Sequence, residues 1–434
     1  MSLLLDAPVV VRVLASLGMI LAVNALTRRL AVAVGAGTLT LALWCGHRPA
    51  AIVRIAWGSV VDPVNLGLLG AFFLIIWLSS QMSASGVLRE LVAAVRLRVS
   101  QRASLAILPA LIGMLPMPGG AAFSAPLVDD LDRARTVAPM LKTRINYWFR
   151  HPWEYFWPLY PGVLLAIEVS GLAVWQFMGL QLPVALAFTG LGVWFLLRRV
   201  PHASDDAWPH PEHPPRLLRL LSPTLAVVVV YGGLLIGVPA LARANRYLPL
   251  AIGILAAMLL LQFQRPLRRG EWRRIVLSGK ALSLTLLVAV IRIYGAFIET
   301  HLPDGTLLVA HMRADLAAWG LPLVATVMVL PFISGLVTGL AVGFVGASFP
   351  IVFSLLGADA PTAQVLATTA LAYGFGHIGM MLSPVHVCLV VTNEHFQTRL
   401  VPSLHTLFGL GAAVLAVVCL YSFLVAWLGG LVLA

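Results

Sequence analysis

Apolar residues run in long blocks along this chain, interrupted by arginine-, proline- or glycine-rich stretches. A helix needs about 20 apolar residues to cross a bilayer. Blocks of that order lie at Val9–Leu26, Leu30–Cys45, Leu66–Met82 and Leu172–Leu197 in the first half, and at Leu220–Ala240, Leu248–Phe263, Leu282–Ile298 and Leu404–Val432 in the second. Residues His47–Val61 read as interfacial. Leu88–Ser100, with Arg89, Arg96 and Arg98 among apolar positions, reads as an amphipathic surface helix. Ser104–Leu131 and Leu321–Leu356 differ from these. Each holds two short apolar arms around a turn, Pro116-Met-Pro-Gly-Gly120 in one and the series Gly335, Gly339, Gly343, Gly346 in the other. Arms of about a dozen residues are too short to span, so both predict re-entrant hairpins.

Two more blocks, Val137–Ser170 and Ala360–Asn393, are long enough to span but carry helix breakers at their middles. The breakers share one pattern: Tyr147-Trp-Phe-Arg-His-Pro and Tyr373-Gly-Phe-Gly-His-Ile both read Tyr-x-Phe-x-His, and each reaches a proline seven residues after the histidine. The pairs Tyr147/Tyr373, Phe149/Phe375, His151/His377 and Pro158/Pro384 are all offset by 226. Leu108-Pro109 and Gly113 match Leu330-Pro331 and Gly335 at offset 222, Pro126 matches Pro350 at 224, and Gly86 with Leu88 matches Gly305 with Leu307 at 219. Offsets that drift in one direction predict a duplication. Interrupted helices at corresponding positions of two repeats point to a transporter's binding site.

The expected fold is therefore an all-α polytopic membrane protein of about ten transmembrane helices plus two re-entrant hairpins, in two inverted-topology repeats. The first repeat is 1–197 (scaffold 9–100, hairpin 104–131, broken helix 137–170, helix 172–197), 198–219 is a linker, and the second is 220–434 (scaffold 220–300, hairpin 321–356, broken helix 360–393, helix 404–432). Five crossings per half invert the second against the first. With both termini outside, 21 of the 29 Lys and Arg fall on cytoplasmic segments, 6 outside, and Arg150 and Arg292 within the membrane. That bias supports the orientation and a bacterial or archaeal inner-membrane location.

Composition sharpens this. Hydrophobic residues make up 60% and charged residues 11% of 434 positions, far from a soluble domain. The formal charge of +12 sits on alternate loops, which suits membrane orientation and argues against a nucleic-acid partner. Cys45, Cys388 and Cys419 are scattered, with no metal or disulfide spacing, and read as small hydrophobes. The linker's His202, His210 and His213 stand among five prolines, so a solvated loop is expected there. No cofactor and no metal are expected.

The candidate chemistry is anion binding. Helix breaks expose backbone N–H groups, and the tips Pro118, Gly119, Gly120, Gly343 and Gly346 would add more. Arg150 places a full positive charge at the first break, where a charge is costly without a partner. It either pairs with Glu154, four residues on, or holds a carboxylate or phosphate. His151, His377, Ser348 and Ser383 are further ligand candidates. Glu154, His386 and Asn393 are candidates for coupling to H+ or Na+. An intramembrane enzyme has no motif in its favour: His-Glu-x-x-His, Gly-x-Ser-x-Gly and paired intramembrane aspartates are all missing. A carrier of a small anionic solute and a flippase of a lipid-linked phosphate both remain open.

The plan of scaffold helices, hairpin, broken helix and helix, repeated and inverted, resembles the ion transporter superfamily. Within it, Leu115-Pro-Met-Pro-Gly-Gly120 and His377-Ile-Gly-Met-Met-Leu-Ser-Pro384 resemble the DUF401 family. The resemblance implies an elevator-type secondary carrier, dimeric through its scaffold helices, in contact with membrane lipids. The dicarboxylate branch has Ser-Asn-Thr at both tips where this chain has Met117-Pro-Gly-Gly120.

Overall fold

The structure, a computed structural model, describes residues 7–96, 99–114, 120–132, 135–201, 217–302, 305–357 and 359–430. Pro118 and Gly119 of the first tip, and most of the 198–219 linker, lie outside them. The described chain is all-helical apart from one isolated bridge, His301 to Leu307. The first half runs α1 (Val9–Thr27), α2 (Leu30–Trp44), α3 (Pro49–Val61), α4 (Pro63–Ala84), α5 (Val87–Arg96), α6 (Gln101–Gly113), α7 (Ala121–Leu131), α8 (Pro139–Phe149), α9 (Pro161–Ser170) and α10 (Val174–Phe195). The second runs α11 (Leu217–Gly237), α12 (Pro239–Ala244), α13 (Leu248–Gln264), α14 (Arg269–Val276), α15 (Gly279–Ile298), α16 (Leu308–Ala318), α17 (Leu323–Thr338), α18 (Ala341–Leu356), α19 (Thr362–Met381), α20 (Val387–Phe396) and α21 (Leu400–Leu428).

Helices α1, α4, α10, α11, α15 and α21 are long and apolar enough to cross a bilayer. Ten crossings also require α2 and α13, with 15 and 17 residues, and the two interrupted helices. The local signals are ordinary. Asp62 caps α4 by accepting from the amides of Val64 and Asn65, both at 3.0 Å, with Pro63 at the first turn, where its missing N–H costs nothing.

Two packing units emerge. Helices α1–α4 and α11–α15 pack mainly on each other and form the scaffold. The hairpins α6–α7 and α17–α18 pack with the interrupted helices and with α10 and α21. The packing crosses between repeats: α7 lies on α20, and α18 lies on α9. Helix α19 is buried on all sides from Ala367 to Met381 except at Phe375. Leu420, Phe423, Trp427, Val229 and Phe263, by contrast, are exposed. An apolar helix packed all round and apolar side chains facing outward are the two arrangements a lipid solvent allows.

The second interruption falls later than the motif predicts. Helix α19 stays regular through Tyr373-Gly-Phe-Gly-His-Ile-Gly and ends only at Met381. Its glycines bring helices together instead of breaking one. A Cβ added at Gly379 would collide with the Phe332 carbonyl on α17, and one at Gly376 with the Phe344 ring on α18.

Candidate functional site

Helix α8 stops at Phe149, and the chain makes a short 3-10 turn, Pro152–Tyr155, before α9 begins at Pro161. Prolines at 152, 158 and 161 remove the donors that a continuous helix would need. In the second half the chain leaves α19 at Leu382 and re-enters helix at Val387. The two gaps face each other. Tyr147 Oη donates to the Met381 carbonyl at 2.8 Å, and its pseudo-symmetric counterpart Tyr373 donates to the Glu154 carbonyl at 2.6 Å. Each matched tyrosine thus satisfies a carbonyl at the other repeat's break, where lipid offers no alternative donor.

The hairpins close on these gaps. Tyr160 Oη donates to the Gly113 carbonyl of α6, and Trp153 Nε1 to that of Ala110 at 2.8 Å. Gly120, at the start of α7, lies against the Arg150 guanidinium: a Cβ there would sit 2.7 Å from Nη1. On the other side Gly339, with φ of 63°, turns the chain between α17 and α18, and a Cβ there would lie 3.0 Å from the His386 amide nitrogen.

Between these elements and the scaffold lies a cavity of about 530 Å³. Its polar wall carries Arg150, Glu154, Tyr160, His386 and Cys388, facing Ser79, Ser80 and Ser83 of α4. Its apolar wall includes Ile76, Phe123, Leu284, Leu287, Leu340 and Val342. Arg150 is only 3% exposed, and among the described residues its Nε and Nη1 have no hydrogen-bond partner. Its contact is Nη2 to Cys388 Sγ at 3.9 Å. The pairing with Glu154 is not formed; Glu154 Oε1 stands instead 3.8 Å from His151 Nε2. A buried guanidinium without a carboxylate is an unmet demand for an anion.

His151 is fully buried. Its Nδ1 lies 2.6 Å from the Tyr147 carbonyl, so it is the donor there, and its Nε2 meets His386 Nε2 at 3.1 Å. His377, its pseudo-symmetric mate, does not line the cavity. It lies among aromatic rings, 4.0 Å from that of Tyr155 and 5.6 Å from that of Phe188, and among the described residues neither of its nitrogens has a hydrogen-bond partner. Gly343 and Gly346 sit inside α18, packed on Thr338 and Ile291. Ser348 Oγ donates to the Phe344 carbonyl at 2.6 Å. Ser383 Oγ accepts from the Val385 amide at 3.3 Å, within the second gap. Asn393 Oδ1 accepts from Thr398 and Ser403, fastening α20 to α21. Cys388 and the serines of α4 join the site without being singled out by the sequence pattern.

A second cavity, of about 440 Å³, lies at the seam between scaffold and hairpin unit and is lined by Arg54, Asp62, Asn65, Glu168, Arg292 and Glu299, among others. Arg292 Nη2 is 3.5 Å from Glu168 Oε1, and its Nε donates to Asn65 Oδ1 at 2.7 Å. Arg292 is thus a member of a scaffold-to-α9 ion pair.

The family described as "Protein of unknown function (DUF401)" matches residues 10–426. No curated protein matches the sequence. Among solved structures, the Alcanivorax borkumensis YdaH transporter, whose crystal structure is described as revealing an unusual topology, is similar with a TM-score of 0.59 at 14% identity, over 88% of this chain and 90% of that one. At that identity the likeness is one of fold.

Proposed function

The chain belongs to the DUF401 family, and from that premise we propose that it is a secondary transporter of an anionic organic solute bearing a carboxylate or phosphate. The observation that carries this reading is Arg150: buried, facing a cavity, and without an anionic partner among the described residues. The solute's anionic head would take the free Nε and Nη1 in charge-assisted hydrogen bonds. Its apolar body would lie along Ile76, Leu284 and Leu287. The fold shared with a transporter supports the class of activity.

The cavity's place between scaffold and hairpin unit supports an elevator-type movement of the second past the first, as the resemblance to the ion transporter superfamily implies, with the scaffold helices forming a dimer. The pair His151 and His386 beside Arg150 offers nitrogens. Sodium takes oxygen ligands, so His151, His386 and Glu154 suit H+ as the coupling ion better than Na+. The mainly apolar wall also favours a second reading, a lipid-linked phosphate as cargo, with the same arginine on its head group.

The test is thermal stability of the purified protein against short carboxylates, organic phosphates and short-chain lipid phosphates. A bound ligand raises the melting temperature through linkage. The cognate class shifts the wild type most, shifts Arg150→Lys less and shifts Arg150→Ala least at the same concentration. An Arg150→Ala protein that folds and still responds fully would remove the arginine from the site.

A further inference from the structure

Beside the arginine, three side chains stand in an arrangement that anion binding does not explain. The ligating atoms of His151, His386 and Cys388 all lie within 4.8 Å of one another. They come from both repeats: His151 opens the first interruption, and His386 and Cys388 close the second. We propose that His151 Nε2, His386 Nε2 and Cys388 Sγ form a binding site for a transition-metal ion of the Zn2+ class, joining the two interruptions across the membrane interior.

The geometry suits such an ion. In tetrahedral coordination, nitrogens at about 2.0–2.1 Å from zinc stand roughly 3.3 Å apart, and a thiolate sulfur at about 2.3 Å stands roughly 3.6 Å from each. The two Nε2 atoms are already 3.1 Å apart. His151 is oriented as a metal-ligating histidine usually is: Nδ1–H donates to the Tyr147 carbonyl, which leaves the Nε2 lone pair free for a metal. Without a metal that lone pair accepts a hydrogen bond from His386 Nε2–H. Ligation moves the His386 proton to Nδ1, which meets no hydrogen-bond criterion with any partner among the described residues, and expels the Cys388 thiol proton.

The charges around the ion are mixed. Arg150 lies 3.9 Å from the sulfur and opposes it, whereas Glu154 Oε1, 3.8 Å from His151 Nε2, supports it. Three protein ligands leave a fourth position, and His386, Cys388 and Glu154 all border the cavity. An exogenous anion or water can therefore complete the sphere, as in zinc sites that keep one position open. The donor set, two imidazoles and a thiol, selects against Na+, Mg2+ and Ca2+. This site stands whether or not the cavity carries an organic anion.

Co2+ tests it optically in the purified full-length protein. The wild type should take up one Co2+ per chain with a sulfur-to-cobalt charge-transfer band in the near ultraviolet and tetrahedral ligand-field bands in the visible. Zn2+ should displace it. Cys388→Ser should lose the charge-transfer band, and His386→Ala should bind at least about tenfold more weakly. Should a variant not fold, alkylating the thiols of the wild-type protein before titration must abolish the same band. The linker histidines can supply cobalt ligands but no sulfur, so they cannot imitate the band. A wild type without the charge-transfer band, or a Cys388→Ser protein that retains it, overturns the proposal.

Discussion

The two interruptions share a sequence pattern and differ in almost everything else. At the first, the Tyr-x-Phe-x-His segment is where the helix stops: α8 ends at Phe149, and Arg150, His151 and Glu154 occupy the gap. At the second, the same segment stays helical, and the gap opens only at Leu382, about a turn and a half later. The reason lies in the residues around and after the histidine. Pro152 and Pro158 withdraw donors from the first helix, whereas Gly374, Gly376 and Gly379 let the second pack against Val418, Phe344 and Phe332. The duplicated motif therefore supplies a charge on one side and a close-packed wall on the other. The tyrosines keep their symmetric work, each donating across to the opposite break. The histidines do not: His151 reaches His386, and His377 packs on Tyr155.

The comparison predicts unequal consequences for matched positions. The largest concerns the first break. Arg150→Ala should weaken anion affinity by roughly ten- to a hundredfold, the range expected for losing hydrogen bonds to a charged group. The counterpart His377→Leu should leave affinity within about threefold, well inside one such bond. Ligand titration of both variants checks the pair. Equal losses would show the two breaks to be functionally equivalent.

Next in size is the packing role of the second segment's glycines. Gly379→Ala should destabilise the fold by about 1–3 kcal/mol through overpacking against the α17 backbone. Gly179→Ala on α10, where an added Cβ meets nothing within 4 Å, should be neutral or slightly stabilising. Denaturant unfolding of the two proteins distinguishes them.

A smaller effect belongs to the turn that feeds the first interrupted helix. Burial pushes the Asp132 carboxyl up, but hydrogen bonds from Lys142 and from the Val137 and Thr136 amides outweigh it and hold the group below its ordinary value. A carboxyl with a lowered folded-state value contributes stability that is intact above the unfolded value, about 3.9. It is lost as pH falls through the folded one. Asp132→Asn should therefore lower the melting temperature at pH 7 and narrow its gap to wild type below about pH 4. A gap that persists unchanged in acid would remove the ion pair from the account.

The smallest is Glu168→Gln at the seam. The Arg292 and Arg246 contacts are partly solvated, 21% and 29% exposed on the arginine side, and pairs of that kind contribute roughly 0–1 kcal/mol. Anion affinity should change by less than about twofold, with any effect confined to the rate of flux through proteoliposomes.

Much of the architecture is legible in the chain. The hairpins, the amphipathic helix before the first of them and the existence of two interrupted helices follow from run lengths, from the arginines of Leu88–Ser100 and from the placement of proline and glycine. The exact break is not, because glycine serves both close packing and helix interruption, and only the facing helix decides between them. Arg150 stands out by its charge in an apolar run, but whether Glu154 neutralises it depends on the turn Pro152–Tyr155, which points the carboxylate at His151 instead. Cys388 reads as a small hydrophobe because its neighbours, Arg150 and His151, lie more than 230 residues away in sequence. Gly343 and Gly346 look like tip residues, but the turn comes earlier, at Gly339, where φ is positive.

The central claim is that the cavity between the scaffold and the two facing gaps holds an anion against Arg150. Alkylation of Cys388, beside Arg150 in that cavity, measures it most directly, in full-length protein carrying Cys45→Ser and Cys419→Ser. A membrane-permeant maleimide should label Cys388 more slowly when the cognate carboxylate or phosphate is present, and addition of Arg150→Ala should abolish that protection. Labelling that the anion never slows, or protection that survives the loss of the guanidinium, would contradict the account.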